Sequence, residues 1–287
     1  MLNADLQSLA RRWGASDVPF SHAVDAWVDA PELVHLRRQL DHAAALRTPM
    51  LLSGPNGVGK SALVGRWMRG LETRIHLSLA LTHATLSGSS VLSCLVQRLG
   101  KAPGFRRETN LARIEQALGE LEHRSLVLIL DEAQNYSAAS LEEVRLLLGL
   151  NLPERPLFAL ILIGDDYLLS SLRLRHQRAL YSRLGGHFRL TPWPALRLAQ
   201  YLTGALRAVG LSPTVLPEPA AELLAATSGG FPRSLQLLAR AAWLSAAVAG
   251  RNQISVEDVR QAIDQVPCSP GLQSPALLAD HEPAPAG

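Results

Sequence analysis

The chain has 287 residues, of which 47% are hydrophobic and 18% are charged, and these values are typical of a globular protein with a buried core. The longest uncharged apolar run near the middle, Leu157–Ile163, is only strand-sized, whereas a membrane-spanning helix needs roughly 18 apolar residues. We therefore expect no membrane segment. The formal net charge of +3 permits a polyanionic partner but does not demonstrate one.

The N-terminal residues lack the basic and then apolar pattern of a signal peptide. Two cysteines, Cys94 and Cys268, lie far apart and in no metal-ligand spacing. Both observations favour a reducing, cytoplasmic location.

Residues 1–47 are expected to form an N-terminal segment that leads into the first core strand. Helical spacing runs from Ala4 to Trp13 and stops at Gly14, and the Val18-Pro19-Phe20 segment is expected to be extended. A second helix is predicted from Pro31 to Leu46.

A glycine-rich phosphate loop follows the first predicted strand, residues 49–53. Residues 54–61 read Gly-Pro-Asn-Gly-Val-Gly-Lys-Ser, and residues 62–68 predict a helix. A strand, a glycine-rich turn and a helix N-terminus form a cradle of backbone N–H groups for phosphate. A chance match is the alternative, and the strand and helix on either side argue against it.

The phosphate loop assigns specific roles to its last residues. Lys60 is expected to reach the β- and γ-phosphates, and the Ser61 hydroxyl to ligate Mg²⁺. The residues expected to bind the nucleotide are Gly54, Pro55, Asn56, Gly57, Val58, Gly59, Lys60, Ser61 and Ala62.

The segment after the loop helix predicts a strand, two helices and a loop. The strand is expected at residues 74–78 and the helices at 89–99 and 111–122. Residues 100–110, which contain two glycines and a proline, predict a surface loop.

A second motif begins with the apolar run Arg124–Leu130, which predicts a parallel strand covered on both faces. Asp131 follows at its carboxyl end, where open α/β sheets bind ligands, and is expected to hold Mg²⁺ directly or through water. Glu132 is expected to polarise the water that attacks the γ-phosphate. A simple helix cap is the alternative role for these two acids, and the phosphate loop upstream makes it the weaker one.

The next helix is expected to open at Ser140, with Glu143 three residues later completing a capping box. The nucleotide is expected to be ATP, because the Asn-Lys-x-Asp segment with which GTPases of this fold read guanine is absent.

Leu157–Ile163 and His187–Leu190 predict the last two strands. The stretch from 173 to 189 contains no acid and is rich in basic residues, namely Arg173, Arg175, His176, Arg178, Arg183, His187 and Arg189. This stretch fits either phosphate contacts with DNA or a subunit interface.

From Pro192 onward the spacing predicts helices only. Their expected ranges are 195–209, 218–227, 233–249 and 255–266. Ser255 is a good N-cap residue and Asp258 occupies the N3 position of the last helix.

These elements predict an α/β fold of the P-loop NTPase type, with a parallel sheet flanked by helices and a small all-helical lid. The expected organisation is an N-terminal segment (1–47), a nucleotide-binding domain (48–191), a helical lid (192–266) and a tail (267–287). The tail carries five prolines and is expected to be disordered.

The sequence resembles the AAA+ superfamily and, within it, the ExeA-like bacterial ATPases. The residues that carry this resemblance are Val18–Phe20, Gly54–Ser61, Leu130–Asn135, Leu162–Gly164 and Ser228–Arg233. The transposition ATPases TniB, TnsC and MuB form related groups.

The resemblance implies roles for three more residues. Arg233 corresponds to sensor 2, the lid arginine that touches the γ-phosphate. Arg183 corresponds to the arginine finger that reaches the ATP of a neighbouring subunit, with Arg178 as the competing choice. For both the sensor-2 and the finger assignment, the alternative is an arginine that only contacts solvent. Asp165 occupies the sensor-1 position, where relatives usually carry a neutral polar residue. A carboxylate there repels phosphate unless it binds metal or water or points away.

Two functions of different classes follow from the resemblance. The preferred one is an ATP hydrolase that uses Mg²⁺, assembles as a homo-oligomer, ring or filament, on duplex DNA, and serves a transposase or another protein partner. The alternative is an accessory ATPase of secretion or pilus assembly that acts on protein or envelope partners. Full-length ExeA-like proteins carry a membrane segment and a cell-wall-binding domain after the ATPase, and their absence here favours the DNA role. A nucleotide-dependent switch with slow turnover is a third possibility.

Overall fold

The computed structural model describes residues 2–21, 30–82, 88–150, 156–175 and 177–267. They form two compact units. The α/β unit comprises Asp29–Asn56 and Lys60–Thr191. The helical unit comprises Met1–Val28, Gly57–Gly59 and the chain from Pro192 onward. The predicted disordered tail lies almost entirely outside the described residues, as does His176.

The helices, in chain order, are α1 (Leu2–Arg12), α2 (Pro31–Leu46), α3 (Lys60–Arg69), α4 (Gly88–Arg98), α5 (Arg107–Gly119), α6 (Ala138–Leu147), α7 (Asp166–Leu172), α8 (Arg178–Tyr181), α9 (Ala195–Ala208), α10 (Glu218–Thr227), α11 (Pro232–Val248) and α12 (Val256–Gln265). Two short 3₁₀ turns lie at Ala133–Asn135 and Pro213–Val215. Proline occupies the first turn of α2, α10 and α11, where its missing N–H removes no helical hydrogen bond.

The α/β unit contains one sheet of five strands in the order β2-β3-β4-β1-β5. The strands are β1 (Met50–Ser53), β2 (His76–Leu81), β3 (Ser125–Leu130), β4 (Phe158–Ile163) and β5 (Gly186–Arg189). All four strand pairs are parallel. This arrangement confirms the predicted parallel sheet flanked by helices, with a set of helices following it.

The three central strands are buried, as their continuous apolar runs predict for a sheet covered on both faces. The register aligns Leu51 and Leu130 with the same residue of β4, Leu162. Because all strands run in one direction, β1, β3 and β4 end at the same edge of the sheet. That edge is where the chain continues into both predicted motifs.

The helical unit contains α1 and α9–α12. Trp13, just after α1, packs edge-on against Trp243 of α11 with ring centroids 6.2 Å apart. The backbone N–H of Ser16 donates to the carbonyl of Val209 after α9 at 2.9 Å. The N-terminal residues therefore pack with the C-terminal helices. None of the helices in the described ranges has the length and apolarity needed to cross a bilayer.

The predicted capping box at Ser140 and Glu143 is wrong. The helix begins three residues earlier, because Ser137 follows a 3₁₀ turn in extended conformation and its hydroxyl accepts from the N–H of Ser140 at 3.1 Å. Ser140 is buried in the first turn instead. Glu143 is held by Arg107 at the start of α5, with a 2.8 Å ion pair between the guanidinium Nε and the carboxylate.

The predicted loop 100–110 is too long at its carboxyl end, because α5 starts at Arg107. Its first turn is fixed by Asn110, which is buried and makes two hydrogen bonds to the backbone of Gly104, at 2.7 and 3.0 Å. The second strand also runs later than predicted, from His76 to Leu81, because all six of its residues pair with β3.

The capping box of α12 provides a test of the helical unit. The Ser255 hydroxyl accepts from the Asp258 N–H, and the Asp258 carboxylate accepts from the Ser255 N–H. Burial would raise the pKa of Asp258, but hydrogen bonds from Ser255 and the charge of Arg251 outweigh burial and hold the pKa below its usual value.

We expect Ser255→Ala to lower the free energy of unfolding by about 1 kcal/mol at neutral pH, measured by urea denaturation. The part of this loss that comes from Asp258 ionisation should shrink as pH falls below about 4, because a depressed carboxyl pKa stabilises the fold only while the group is ionised. Ser8→Ala, at an exposed serine of α1, is the control and should change stability by less than about 0.5 kcal/mol. Equal effects of the two substitutions would contradict the assigned cap.

Candidate functional site

The phosphate loop lies between β1 and α3 and depends on its glycines. Gly54, Gly57 and Gly59 all have positive φ angles, of 148°, 85° and 102°. At Gly54 the chain passes so close to the residue after β5 that an added Cβ would overlap the backbone oxygen of Leu190. Glycine therefore permits both the turn and its approach to the neighbouring chain segment.

Lys60 is the first residue of α3, and its side chain turns back into the loop. The residue is only 6% exposed, and its ammonium donates to the carbonyl oxygens of Gly54 at 2.7 Å and Pro55 at 3.1 Å. Burial lowers the pKa of Lys60 below its usual value, and nearby carboxylates oppose that shift. Those carboxylates are Glu132, Asp165, Asp131 and Asp166.

Ser61 and Asp131 meet although 70 positions separate them in sequence. The Ser61 hydroxyl donates to Oδ1 of Asp131 at 3.0 Å. A hydroxyl and a carboxylate are hard oxygen donors of the kind that Mg²⁺ takes in proteins, usually together with phosphate oxygens and water. Across the described ranges, no cluster of three or more His, Cys, Asp or Glu could hold a metal alone. The pair therefore fits a metal that arrives with phosphate.

Glu132 lies directly beyond Asp131 in a left-handed backbone conformation, with φ 51° and ψ 43°. Such a conformation is uncommon for a residue other than glycine and clusters at functional sites. Its N–H donates to Oδ1 of Asp131 at 2.9 Å, and its carboxylate Oε2 accepts from the amide of Gln134 at 2.6 Å. The loop after β3 thus fixes the directions of two successive carboxylates.

Asp165 follows β4, beside the same edge. Its carboxylate caps α7 by accepting from the N–H of Leu168 at 3.1 Å, and its own N–H donates to Oε1 of Gln134 at 3.3 Å. The Asp165 side chain, at the position where relatives usually carry a neutral polar residue, therefore has a hydrogen-bond partner in the first turn of α7. The preference of Asp for N-cap positions is the sequence signal that indicates this role.

Asp166 was not singled out from the sequence, and it contacts the basic stretch. Its carboxylate forms two hydrogen bonds with the Arg189 guanidinium, at 2.8 and 2.7 Å. This pairing holds the pKa of Asp166 below its usual value. The acid lies 23 positions before its partner, so inspection of residues 173–189 alone could not reveal it. Arg189 is therefore not a free cation of that stretch.

The remaining arginines of the basic stretch differ in their contacts. Arg183, just after α8, donates to the carbonyl of Ala179 in that helix at 2.8 Å. Arg173 lies over the Tyr181 ring, 5.9 Å from its centroid. Arg175 and Arg178 are exposed.

Arg233 lies in the helical unit, in the first turn of α11. Its backbone N–H donates to the carbonyl of Gly57 at 3.3 Å. Gly57–Gly59 belong to the same helical unit. Its side chain is exposed. The sensor-2 candidate is thus attached through its backbone to a glycine of the phosphate loop.

Comparison with known proteins agrees with this geometry. Residues 44–172 match the AAA domain family. A curated relative, the general secretion pathway protein A of Aeromonas hydrophila, is 26% identical over 238 residues, which cover 82% of this chain and 43% of the relative. The chain thus spans less than half the length of that relative.

Two solved structures share the fold. The ORC2 protein of Aeropyrum pernix, in ADPNP–ADP complexes, superposes with a TM-score of 0.65 at 20% identity, covering 89% of this chain and 71% of that chain. The ORC1 protein of the same organism, in complex with DNA, gives 0.68 at 19% identity, covering 84% and 66%. These two similarities concern the fold, and the AAA domain match concerns residues 44–172.

The close approach at Gly54 gives a prediction about the loop. Gly54→Ala should lower the free energy of unfolding by at least about 2 kcal/mol, because it combines an overlap with Leu190 and a strained φ. Gly119→Ala is the control, since an added Cβ there meets no atom within 4 Å among the described residues, and it should be neutral or stabilising by up to about 1 kcal/mol. Equal urea-denaturation midpoints for Gly54→Ala and the parent would contradict the assigned contact.

Proposed function

We propose that the chain is an AAA+ ATPase that binds ATP with Mg²⁺ and hydrolyses the bond to the γ-phosphate. The observation that carries this proposal is the convergence of Lys60, the Ser61–Asp131 pair and Glu132 at one edge of the sheet. One ammonium, one pair of hard oxygen ligands and one further carboxylate match the needs of phosphoryl transfer to water.

Lys60 and the loop glycines bind the phosphates in this proposal. The Lys60 ammonium donates to two loop carbonyls, and on nucleotide binding it exchanges these for oxygens of the β- and γ-phosphates. Backbone N–H groups at the N-terminus of α3 bind the same anion. Mg²⁺, held by Ser61 and Asp131, neutralises charge on the phosphate oxygens when it is bound.

Glu132 is the proposed general base. One carboxylate oxygen, Oε2, is held by Gln134, and the other has no hydrogen-bond partner within the described part of the chain. We assign this second oxygen to the attacking water, which it orients and from which it accepts a proton. Asp131, the preceding residue, keeps the distinct role of metal ligand because its Oδ1 accepts a hydrogen bond from Ser61.

Two arginines complete the proposed machinery. Arg233 acts as sensor 2 from the helical unit, supported by its backbone contact with Gly57. Arg183 serves the ATP of a neighbouring subunit, with Arg178 as the alternative, and stabilises charge in the transition state. We retain residues 48–191 as the nucleotide-binding domain and 192–266 as the lid.

For the biological role, we propose assembly of a homo-oligomer on duplex DNA, in the manner of transposition ATPases. Support comes from exposed guanidinium groups on α8 and the segment before it, notably Arg173 and Arg175, which suit phosphate contacts. The similarity to the DNA-bound ORC1 protein concerns the fold and adds nothing to this role.

The second candidate role is that of a secretion accessory ATPase acting on protein or envelope partners. The observation that favours it is the relative in the general secretion pathway, whose similarity extends over 82% of this chain. Both roles require the same ATP chemistry, so they differ in what stimulates turnover rather than in how the γ-phosphate is cleaved.

The proposed chemistry predicts a separation of binding from turnover. Glu132→Gln should bind ATP with parental affinity and lose at least about 100-fold in kcat, because the amide cannot accept the proton. Glu115→Gln, at an exposed glutamate of α5, is the matched control and should keep parental kinetics. Phosphate release and equilibrium nucleotide binding measure the two quantities. A Glu132→Gln variant with the parental kcat would contradict the assigned base.

Removing the Lys60 ammonium should abolish ATP binding itself, whereas removing the Glu132 carboxylate should spare it. Lys60→Ala should lose measurable ATP binding, because no other side chain of the loop carries a positive charge for the phosphates. Lys101, the second lysine of the chain, is paired with Glu120. Lys101→Ala should therefore bind ATP like the parent. Parental ATP affinity in Lys60→Ala would exclude the phosphate-loop role.

The DNA role predicts that linear duplex DNA stimulates the ATPase and that stimulation fades as salt rises. The double substitution Arg173→Glu and Arg175→Glu should abolish stimulation while the DNA-free rate stays parental. Arg37→Glu with Arg38→Glu, on exposed positions of α2, is the charge-matched control. Stimulation retained in the first variant would exclude this surface, and a parent indifferent to DNA would favour the secretion role.

A further inference from the structure

Gln134 connects the two loops that end β3 and β4. Its amide nitrogen donates to Oε2 of Glu132 at 2.6 Å, and its amide oxygen accepts from the backbone N–H of Asp165 at 3.3 Å. Only the NH₂ group can donate to a carboxylate and only the carbonyl can accept from an N–H, so the two contacts together fix the orientation of the amide.

The local fold is built to make this double contact. The left-handed conformation of Glu132 turns the chain into the 3₁₀ turn Ala133–Asn135, which brings the Gln134 side chain back to the Glu132 carboxylate. On the other side Gly164 leaves the required room. A Cβ added at Gly164 would lie 2.8 Å from Oε1 of Gln134 and 2.5 Å from the Leu168 side chain.

A hydrogen bond to one carboxylate oxygen restricts rotation of the whole group. With Oε2 tied to Gln134, the second oxygen of Glu132 keeps one direction, which is what a base needs to meet a water molecule in line with its target. The second contact ties that direction to the end of β4, at Asp165. Both polar atoms of the Gln134 amide therefore have protein partners, the Glu132 carboxylate and the Asp165 N–H.

We propose that Gln134 is a positioning residue for Glu132, which holds the carboxylate of the base in its working direction and couples it to the loop after β4. This inference rests on the proposed ATPase function and deepens it. Gln134 acts through Glu132 and Asp165, so its loss should reduce kcat and leave nucleotide affinity unchanged.

Two substitutions separate hydrogen bonding from packing. Gln134→Met keeps the length of the side chain and removes both hydrogen bonds, and its kcat should fall about tenfold or more with parental affinity for ATP. Gln134→Glu keeps the shape but sets a second carboxylate against Glu132. Its kcat relative to the parent should rise as pH falls, because a protonated carboxyl can again donate to Oε2 and accept from the Asp165 N–H.

The contact also has a readout that needs no nucleotide. In Gln134→Glu the like charge of Glu132 raises the pKa of the introduced carboxyl above its unfolded value. The variant should therefore have a lower Tm than the parent at pH 8, and the difference should shrink as pH falls and the carboxyl takes up its proton. The other charged groups nearby, Lys60, Asp131 and Asp165, are common to both proteins.

Gln116 offers the matched control, since its amide makes the same kind of contact with Glu120 at 2.9 Å on the exposed surface of α5. Gln116→Met and Gln116→Glu should leave kcat, ATP affinity and the pH dependence of Tm close to the parent. The steady-state ATPase of the parent and Glu132→Gln is measured in the same series.

The results distinguish a failure of the positioning role of Gln134 from a failure of the proposed ATPase function. A parent that turns over ATP, an inactive Glu132→Gln and a Gln134→Met with the parental kcat would overturn the positioning role alone. A Gln134→Glu whose Tm follows the parent at every pH would show that the contact is absent. A parent without turnover would overturn the proposed function and the inference with it.

Discussion

The common direction of the strands is the constraint on which the rest of the site depends. β1 and β3 are not neighbours, since β4 lies between them, yet the register places Leu51 and Leu130 level with the same residue of β4. β3 ends at this level and β1 continues for two more residues to Ser53, so both strands leave the sheet at the same edge. Ser61, which follows the loop after β1, can therefore reach Asp131. A one-residue slip of either strand would turn its side chains to the opposite face of the sheet and displace the two groups from each other.

Local strain accumulates where the chain leaves this edge. Gly54 and Glu132, at the ends of β1 and β3, both have positive φ angles, although only one of them is a glycine. Glycine adopts a positive φ at little cost because it lacks a Cβ, whereas for Glu132 this conformation costs free energy and persists because the surrounding structure imposes it. Here the turns direct polar groups along the edge of the sheet. The buried apolar strands support the loops, and the loops carry the residues of the site.

The sequence predicted much of the fold because the relevant signals are local. Continuous apolar runs gave the buried strands, and the glycine spacing gave the loop between β1 and α3. The predictions failed where several local signals competed. Ser137 and Ser140 are both plausible caps, and only the 3₁₀ turn before Ser137 decides between them. The start of α5 depends on Asn110 and on Glu143, a residue on another helix.

In the site, too, residues within motifs could be predicted from the sequence, whereas contacts between separate elements could not. Lys60, Ser61, Asp131 and Glu132 were identified from motifs and spacing, and the structure brings them together. The pairing of Asp166 with Arg189 joins two elements, and the contact of Gln134 with Asp165 joins two loops, so neither follows from periodicity or composition. Side-chain partners across a sheet edge depend on register and backbone direction, which become visible only in three dimensions.

The central claim is that Ser61 and Asp131 form one end of a site for nucleotide bound with Mg²⁺. The most direct test is the equilibrium affinity for a non-hydrolysable ATP analogue, measured with and without Mg²⁺, for the parent, Asp131→Asn and the exposed-site control Asp264→Asn. The account predicts that Mg²⁺ tightens binding to the parent and the control by about tenfold or more, about 1.4 kcal/mol, and that Asp131→Asn loses this gain. An equal gain from Mg²⁺ in all three proteins, or none in the parent, would contradict it.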